Sequence, residues 1–431
     1  MDMNSDFNNI INLIESEEYH KAISETDKII ASSYVKNINT LTDRLVDLAG
    51  IYNENRNHSK ALKVLEILSL LEKYIDDIKK KNIILNEYEI AKGFTVLKSK
   101  PRFLQVVLTT ACNLDCIMCG LSHSNHTLSE NFKKSILEYI PFVENVIWQG
   151  GEPLLFKDFM ELFAISAKNN VFQTITTNGL LINDDILQII DDTQSNINLD
   201  ISIDAIDKIT YEKIRRKGNF DILIDKIKLI EKKNLSRKLN FRFGMQAVIM
   251  KSNYKQIDRM IDFAIQNGFN KIMFQRLYPG YLAQNEELNV SENNFVCDCI
   301  DNYVKKLDSD NMKFGIESNI KRIILCEKEN NTDVMSGIEV QKKDCSIDAK
   351  DTGIFCLAPW KRLFIGRKNI VMPVCHCDVD GIVIDDICDL WNGSSMVYFR
   401  EKILNREEPS QCKTFCQTSG KVFEDIRRTG K

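Results

Sequence analysis

The sequence predicts an α/β protein built around a partial (β/α)6 barrel or an open wound sheet, with an all-α region before it and a cysteine-rich tail after it. Short β-rich runs alternate with amphipathic helical stretches, and this alternation favours βαβ units and a parallel sheet. The predicted strands are Phe103–Thr109, Asn145–Gln149, Phe172–Thr177, Ile197–Ile203, Phe241–Met250 and Lys271–Leu277. The helical stretches between them cover residues 157–168, 182–192, 221–233 and 254–266. In such folds, functional side chains lie at the carboxyl ends of the strands.

A chain of 431 residues exceeds the usual size of one hydrophobic core, so several domains are expected. We predict a helical N-terminal domain over residues 1–98, an α/β core over 99–285, a charged connecting region over 286–350, and a cysteine-rich domain over 351–431. The tail contains a predicted hairpin, formed by Arg362–Ile365 and Ile370–Val374.

The first 95 or so residues show helix-period apolar spacing and contain almost no glycine or proline. Two segments resemble each other, Tyr19–Ile23 and His58–Leu62, and each places an alanine at the same position, Ala22 and Ala61. Small residues permit close helix packing. The pattern weakly resembles a tetratricopeptide-type hairpin, and a simple helical bundle is the alternative. A protein partner for these helices is one expectation.

Composition excludes several classes of function. The net charge is −4, which gives no basic face for nucleic acid. No apolar run is long enough to span a bilayer, and the polar N-terminus lacks a signal-peptide pattern, so the predicted location is the cytoplasm. The 13 cysteines are unusual for such a chain. Because disulfide frameworks belong mainly to short secreted proteins, clustered cysteines here indicate metal binding or redox chemistry.

The first cysteine cluster follows the first predicted strand directly. Cys112, Cys116 and Cys119 have the spacing C-x3-C-x2-C. Zinc sites normally use four ligands, so a zinc site would have to recruit His123 or His126. Three thiolates instead suit an iron–sulfur cubane that leaves one iron open. Such clusters reach potentials of about −700 mV at the extreme, as electron transfer to a sulfonium requires.

This motif, with apolar Met118 before its last cysteine, resembles the signature of the radical S-adenosylmethionine (SAM) superfamily. The resemblance covers roughly residues 100–285. It implies a [4Fe–4S] cluster on the three cysteines and S-adenosyl-L-methionine on the open iron. Reductive cleavage would then give a 5′-deoxyadenosyl radical that abstracts a substrate hydrogen. The family also implies a flavodoxin- or ferredoxin-like electron donor.

Further residues stand where this family binds SAM. Gly150, Gly151 and Glu152 resemble its GGE segment, in which glycines permit close backbone approach and the carboxylate faces an ammonium. Asn178 and Ser202 each end a predicted strand, and Ser202 is expected near the ribose or carboxylate. Arg215 or Arg216 is expected to pair with the SAM carboxylate, and the spacing does not decide between them. Met118 is expected either to contact the adenine or to pack in the core.

The tail resembles the auxiliary-cluster extension called SPASM, in its shortened one-cluster "twitch" form. The resemblance implies an auxiliary [4Fe–4S] cluster, and a zinc ribbon on the same thiolates is the alternative. The expected ligands are Cys356, Cys375, Cys412 and Cys416. Cys377 and Cys388 have no fixed place. Cys377 could replace Cys375 as a ligand. Either Cys377 or Cys388 could donate a hydrogen atom or be an inert thiol.

Three functions are compatible with these features. The main expectation is an enzyme that oxidises or epimerises a small molecule, such as a sugar or an aminocyclitol-like alcohol. The first alternative is a peptide-modifying maturase, which loses weight because the helical N-terminus offers no strands to pair with a leader peptide. The second alternative is an iron–sulfur or zinc interaction protein, which an intact SAM-binding segment disfavours.

Overall fold

The computed structural model describes most of the chain from residue 3 to residue 320 and part of the cysteine-rich tail. The described residues are 3–31, 38–120, 126–193, 197–237, 241–277, 283–309, 313–320, 356–366, 371–372, 391–405 and 407. They form two compact units, each built from separate stretches of sequence. Unit 1 comprises Met1–Gln105, Glu130–Asn145 and Gly353–Gln417, and unit 2 comprises Val106–Ser129, Val146–Thr352 and Thr418–Lys431. This division groups the chain differently from the four predicted domains.

Helices and strands alternate through the middle of the chain. The helices are α1 Met3–Glu15, α2 Tyr19–Ala31, α3 Ile38–Glu54, α4 His58–Leu71, α5 Ile78–Lys92, α6 Glu130–Tyr139, α7 Phe159–Lys168, α8 Asp184–Thr193, α9 Lys208–Ile214, α10 Phe220–Arg237, α11 Ile257–Gln266, α12 Val290–Ser309, α13 Ala358–Lys361 and α14 Ser394–Leu404. The strands are β1 Phe103–Val107, β2 Asp115–Cys116, β3 Asn145–Gln149, β4 Phe172–Thr177, β5 Ile197–Ser202, β6 Arg215–Arg216, β7 Phe241–Ile249, β8 Lys271–Arg276, β9 Gly315–Ser318, β10 Arg362–Ile365 and β11 Val371–Met372.

The sheet of unit 2 has the strand order β1–β3–β4–β5–β7–β8–β9. The four neighbouring pairs from β4 to β9 are parallel. All six predicted strands are present within three residues of their predicted ends, and the predicted α/β fold is confirmed. Helices α7, α8, α10 and α11 follow strands, as the βαβ pattern requires.

One strand of this sheet was not predicted. β9 pairs with β8 in parallel, with Ile272 opposite Ile316, inside the stretch that the sequence indicated as an irregular connecting region. The strand has four residues, GIES, and none of them is buried. An exposed edge strand has no alternation of apolar and polar residues, which is the signal that reveals a strand in a sequence.

The central strand β5 is buried on both faces. Its first five residues, from Ile197 to Ile201, are buried, and Ser202 at its end is half-buried. Side chains alternate between the two faces of a strand, so Ile197 and Leu199 lie on one face and Asn198 and Asp200 on the other. Only the carboxyl end of β5 therefore offers a partly accessible side chain.

Unit 1 begins with helices, as predicted. Helices α1 to α4 share one apolar core that includes Ile10, Leu41 and Leu68. Ala22 in α2 and Ala61 in α4 are fully buried, which agrees with the close packing inferred from the alanines. The two similar segments begin α2 and α4. No helix among the described residues is long and apolar enough to cross a membrane.

The C-terminal part of unit 1 holds the predicted hairpin, in which β10 pairs antiparallel with β11. Trp360 is buried beside it and donates from its indole nitrogen to the Phe94 carbonyl oxygen at 2.7 Å. Arg400 in α14 is fully buried. Its guanidinium donates to the backbone carbonyls of Pro359, Thr95 and Trp391, at 2.9, 2.7 and 2.8 Å. These bonds join two of the three stretches of unit 1, Met1–Gln105 and Gly353–Gln417.

Candidate active site

The three-cysteine segment follows β1 and is fixed by backbone hydrogen bonds. Thr109 forms an antiparallel bridge with Thr127. The Thr110 amide donates to the His126 carbonyl oxygen at 2.9 Å, and the His126 amide donates to the Thr110 hydroxyl at 3.0 Å. The segment therefore leaves the strand in one defined direction. His123, the other histidine of the alternative zinc site, lies outside the described residues.

The three cysteines of the motif are free thiols and are half-buried. The Leu114 amide donates to Cys112 Sγ at 3.3 Å, and the Cys119 amide donates to the Cys116 carbonyl oxygen at 3.1 Å. Burial raises the pKa of Cys112 and raises that of Cys116 to about 11. Both thiols are therefore protonated at neutral pH until a metal displaces the proton.

The donor chemistry fits an iron–sulfur cluster. Among the described residues, no three His, Cys, Asp or Glu side chains are gathered closely enough to hold one metal ion. A cubane does not need that gathering, because each thiolate binds a different iron. Sulfur ligands that accept hydrogen bonds from nearby N–H groups are typical of such clusters. Cys112 accepts one from the Leu114 amide, and Cys116 accepts one from the Arg215 side chain at 3.9 Å.

A two-residue ladder places Arg215 beside the cysteine motif. β2 pairs antiparallel with β6, with Cys116 opposite Arg215 and Asp115 opposite Arg216. Arg215 is buried and forms an ion pair with Asp204, 2.8 Å between Nε and Oδ2. Arg216 is exposed and pairs with Asp115 at 3.4 Å. Of the two arginines that the sequence left open, Arg215 is the one that the fold directs towards the cysteines.

Gly150 and Gly151 permit a close contact inside the protein. The Gly151 amide donates to the Thr109 carbonyl oxygen at 2.8 Å, and Gly150 has a φ of 152°. A Cβ atom at Gly150 would lie 2.2 Å from Thr109 O, and one at Gly151 would lie 2.3 Å from Ala111 O. The glycines thus let this loop lie against the backbone just before Cys112. The close approach of this segment to a ligand, which the sequence indicated, stays a prediction.

Glu152 is fully buried, and both carboxylate oxygens accept hydrogen bonds from the protein. Oε1 accepts from the Thr177 hydroxyl at 2.7 Å and the Leu154 amide at 3.2 Å, and Oε2 accepts from the Asn178 amide at 2.8 Å. Burial raises the pKa of Glu152, and these donors oppose the rise. Glu152 therefore connects the loop after β3 to the loop after β4.

The remaining predicted residues lie at the same ends of the strands. Asn178 is buried, and its amide nitrogen donates to Asn113 Oδ1 at 2.7 Å, which connects it to the cysteine motif. Ser202 is half-buried at the end of β5. Met118 is buried, as a packing residue would be. The adenine contact of Met118 and the ligand contact of Ser202 stay predictions.

Most cysteines of the tail lie outside the described residues. Cys356 is half-buried and lies two residues before α13. Outside the described residues lie the other three predicted ligands, together with both unplaced cysteines: Cys375, Cys412, Cys416, Cys377 and Cys388. The ligand set of the auxiliary cluster and the hydrogen-donor role stay predictions.

Three residues near the motif were missed as functional candidates. Thr177 and Asn113 hold Glu152 and Asn178, and Asp204 holds Arg215. Asp204 was visible in the sequence as the polar residue after β5, but nothing there named its partner. Thr177 and Asn113 stand beside predicted residues and carry no signal of their own.

Comparisons with known proteins agree with this geometry. Residues 106–275 match the family model of the Radical SAM superfamily. The chain is 27% identical over 199 residues to the sporulation killing factor maturation protein SkfB of Bacillus subtilis (strain 168), covering 42% of this chain and 47% of SkfB. It is 30% identical over 130 residues to a GTP 3′,8-cyclase of Clostridium botulinum (strain Okra / Type B1), covering 28% and 40%. The chain thus spans about half the length of SkfB and less of the cyclase.

Solved structures show the same fold. Streptococcus suis SuiB bound to S-adenosylmethionine superposes with a TM-score of 0.55 at 17% identity, over 80% of this chain and 79% of SuiB. SuiB bound to its precursor peptide SuiA superposes with a TM-score of 0.52 at 18% identity, over 74% and 70%. At such low identity the likeness is one of fold. It agrees with the predicted architecture.

Proposed function

We propose, from the match of residues 106–275 to the family model of the radical SAM superfamily, that this chain is a peptide-modifying enzyme that cleaves S-adenosylmethionine reductively. The family uses a [4Fe–4S] cluster and S-adenosylmethionine, and together these supply a 5′-deoxyadenosyl radical that abstracts hydrogen. We assign the cluster to Cys112, Cys116 and Cys119. The protein's own task is to position these groups and to exclude water and oxygen.

The likeness to SkfB carries the choice of a peptide substrate. SkfB is named for the maturation of sporulation killing factor, and its match covers 42% of this chain. SuiB, which shares the fold, has been crystallised with a precursor peptide. The small sugar or aminocyclitol that the sequence favoured receives no such support. The peptide alternative, which the helical N-terminus had disfavoured, is therefore preferred.

A second candidate rests on the GTP 3′,8-cyclase, whose name gives a nucleotide substrate and whose matched segment is 30% identical to this chain. The match covers only 28% of this chain. A segment of that extent is expected to reflect the shared SAM chemistry more than a shared substrate. GTP is therefore the natural competitor in a substrate test.

The described residues support distinct roles around the cluster. The Gly151 and Glu152 amides donate to the carbonyl oxygens of Thr109 and Ala111, at 2.8 Å each, which fixes the loop after β3 against the backbone before Cys112. This contact supports a role for the loop in binding S-adenosylmethionine next to a cluster on the three cysteines. Asn178 connects the loop after β4 to Asn113 in the motif. We propose that this edge of the sheet, with Ser202 at the end of β5, receives S-adenosylmethionine.

Three further proposals concern the tail, the electron donor and the N-terminal helices. Cys356 and the other predicted ligands of the tail, Cys375, Cys412 and Cys416, would hold an auxiliary [4Fe–4S] cluster, which would supply an acceptor for the second electron of a substrate oxidation. A flavodoxin- or ferredoxin-like protein supplies the first electron. The helices of residues 1–98 bind the peptide or another protein partner, since the described part of that region has no strand for a leader peptide to join.

The first experiment measures 5′-deoxyadenosine. Protein reconstituted anaerobically with iron and sulfide receives dithionite and S-adenosylmethionine. We expect the wild type to produce 5′-deoxyadenosine and the triple variant Cys112→Ala, Cys116→Ala, Cys119→Ala to produce none. Cys299→Ala is the matched control, because Cys299 lies in α12 outside the motif and its variant should retain activity. A zinc-loaded wild type without product would overturn the proposal.

The second experiment identifies the substrate class. Deuterated candidate precursor peptides encoded near this gene and deuterated GTP are offered separately to the reduced enzyme. Deuterium in 5′-deoxyadenosine from a peptide supports the maturase, because the label moves only by hydrogen abstraction from the substrate. Label from GTP alone would establish the cyclase-like candidate instead.

A further inference from the structure

Arg215 has a contact to the cysteine motif that SAM binding does not require. The β2–β6 ladder sets Arg215 directly opposite Cys116. The Ile117 amide donates to the Ile214 carbonyl oxygen at 2.9 Å, which extends this pairing by one bond. Arg215 Nη1 then donates a long hydrogen bond to Cys116 Sγ at 3.9 Å. The guanidinium is thus fixed against one thiol of the predicted cluster.

Asp204 holds Arg215 in that position. The ion pair joins Arg215 Nε to Asp204 Oδ2 at 2.8 Å, and the Asp204 side chain is fully buried. Asp204 Oδ1 accepts from the Val248 amide at 2.8 Å, and its carbonyl oxygen accepts from Asn253 Nδ2 at 2.6 Å. The carboxylate is therefore rigid. It places one negative charge behind the guanidinium that faces the thiol.

The other groups near this pair change the balance of charge little. Burial raises the pKa of Tyr211, next to Arg215, to about 12, so its hydroxyl is neutral at neutral pH. Arg216 and Asp115 oppose each other at the exposed side of the ladder, where water screens their charges. Arg215 and Asp204 are consequently the charges that act on Cys116 through a medium of low dielectric constant.

We propose that Arg215, held by Asp204, is a positioning residue that sets the reduction potential of the cluster through Cys116. The potential of an iron–sulfur cluster depends on net charge, on hydrogen bonds to its sulfurs and on exposure. A cation that donates to a thiolate favours the reduced cluster, which carries one more negative charge. The buried carboxylate opposes that effect and keeps the cluster a strong reductant. This inference rests on the proposed function, because it requires a cluster on the three cysteines.

The contacts of Arg215 distinguish an effect on the cluster potential from the expected binding of the S-adenosylmethionine carboxylate. An arginine that binds the carboxylate of S-adenosylmethionine should have its guanidinium free for the ligand. Arg215 instead uses Nε for Asp204 and Nη1 for Cys116. Its effect should therefore be measurable without S-adenosylmethionine present.

The test is a redox titration of the reconstituted protein, followed by electron paramagnetic resonance in the absence of S-adenosylmethionine. The signal that changes when S-adenosylmethionine is added afterwards identifies the cluster of the cysteine motif. We expect Arg215→Gln to lower the potential, whether Asp204 keeps its charge or takes up a proton. We expect Asp204→Asn to raise it, because the cation is then uncompensated. Each variant should change the reduced-to-oxidised ratio on the order of tenfold, which is about 59 mV for a one-electron couple.

Two further variants keep the test decisive. Arg215→Lys retains the charge and should lie closer to wild type than Arg215→Gln does. Arg216→Gln is the matched control, because it removes the neighbouring, exposed arginine of the same strand and should leave the potential close to wild type. If Arg215→Gln fails to assemble a cluster, the opposite shift expected of Asp204→Asn still tests the inference.

Two outcomes would overturn the inference. The first is an unchanged potential in both Asp204→Asn and Arg215→Gln, with Arg215→Gln weakening only S-adenosylmethionine binding, which would assign Arg215 to the ligand. The second is a shift of equal sign in the Asp204 and Arg215 variants, which would indicate a structural role. A wild-type chain that binds no cluster at the three cysteines would contradict the proposed function itself.

Discussion

The Thr177 hydroxyl donates a 2.7 Å hydrogen bond to Glu152 Oε1, and this bond joins the loop after β3 to the last residue of the neighbouring strand β4. Glu152 is fully buried, so its oxygens have no water to replace a lost donor. Removing one partner of a buried polar group costs about 1–3 kcal/mol. The hydroxyl of Thr177 therefore contributes to both the stability and the shape of the candidate site.

Thr177→Val should lower the free energy of unfolding by about 1–2 kcal/mol, because it keeps the shape of the side chain and removes the donor. Urea unfolding followed by circular dichroism measures the change. Thr176→Val is the control, because neighbouring residues of a strand face opposite sides and Thr176 points away from Glu152. Equal effects of the two variants would show that the Glu152 hydrogen bond is not the cause.

Gly151→Ala should reduce the iron bound per chain and destabilise the fold by about 1–3 kcal/mol. The added Cβ would lie 2.3 Å from Ala111 O and 2.6 Å from Thr110 O, so the backbone before Cys112 must move. Gly50→Ala is the matched control. Gly50 lies inside α3, and a Cβ atom there would be 3.4 Å from its nearest neighbour, Glu87 Oε1. Alanine at this position should therefore stabilise the helix by about 0.5–1 kcal/mol. Full iron content in Gly151→Ala would contradict the packing argument.

Protonation of Glu87 should lower the free energy of unfolding at acid pH. Burial alone would raise the pKa of Glu87, but Lys361, at 2.8 Å, and Arg102 outweigh it and lower the pKa from 4.5 to about 2. The contribution of ionised Glu87 to the free energy of unfolding is fully present above about pH 4.5 and is lost as the pH falls towards 2. At about 1.4 kcal/mol per pKa unit it amounts to about 3 kcal/mol.

Glu87→Gln should therefore be less stable than wild type at pH 6 and should lose less stability between pH 5 and pH 3. Urea midpoints at these pH values measure both effects. Asp43→Asn removes an exposed carboxylate paired with Lys80 and should leave the change of the free energy of unfolding with pH as in wild type. If stability fell equally with pH in wild type and in Glu87→Gln, Glu87 would not be the cause of the acid sensitivity.

Arg400→Lys should destabilise unit 1 by about 2–3 kcal/mol despite the retained charge. The planar guanidinium reaches three backbone carbonyls and lies 4.6 Å from the centre of the Trp391 ring, which an ammonium cannot reproduce. Burial lowers the pKa of Arg400 to about 9, so it stays charged at neutral pH. Arg44→Lys, at an exposed arginine that donates to Asn8, is the control and should change the thermal midpoint little.

The sequence was sufficient for the strands that bury side chains. The limits of β3 and β4 agree with the prediction to the residue, because β-branched and aromatic residues dominate both runs, NVIWQ and FQTITT. The two-residue strands β2 and β6 could not be predicted, since neither has a hydrophobic pattern. Their pairing depends on the loop after β1 meeting the end of α9, which is a property of the whole fold.

The candidate site likewise has features that the sequence predicts and features that it does not. The three cysteines and the glycines are local in sequence, so their spacing alone predicts a cluster and a tight loop. The partners of Arg215 could not be predicted, because Cys116 and Arg215 are 99 positions apart and no sequence signal pairs them. The hydrogen bonds from Thr177 and Asn178 to Glu152 could not be predicted either, because these residues are 25 and 26 positions from Glu152. The contact of Glu152 with an ammonium stays a prediction.

The three-segment composition of unit 1 has a consequence for the order of events on the ribosome. The Thr95 carbonyl oxygen emerges early, but the Arg400 side chain that donates to it lies 305 positions later. At about 5–20 residues per second, roughly 15–60 seconds of translation separate the two. Throughout that interval the helical start of the chain must remain folded enough to avoid aggregation, yet open enough to accept its last segment. Unit 1 is thus completed only after Arg400 has been synthesised.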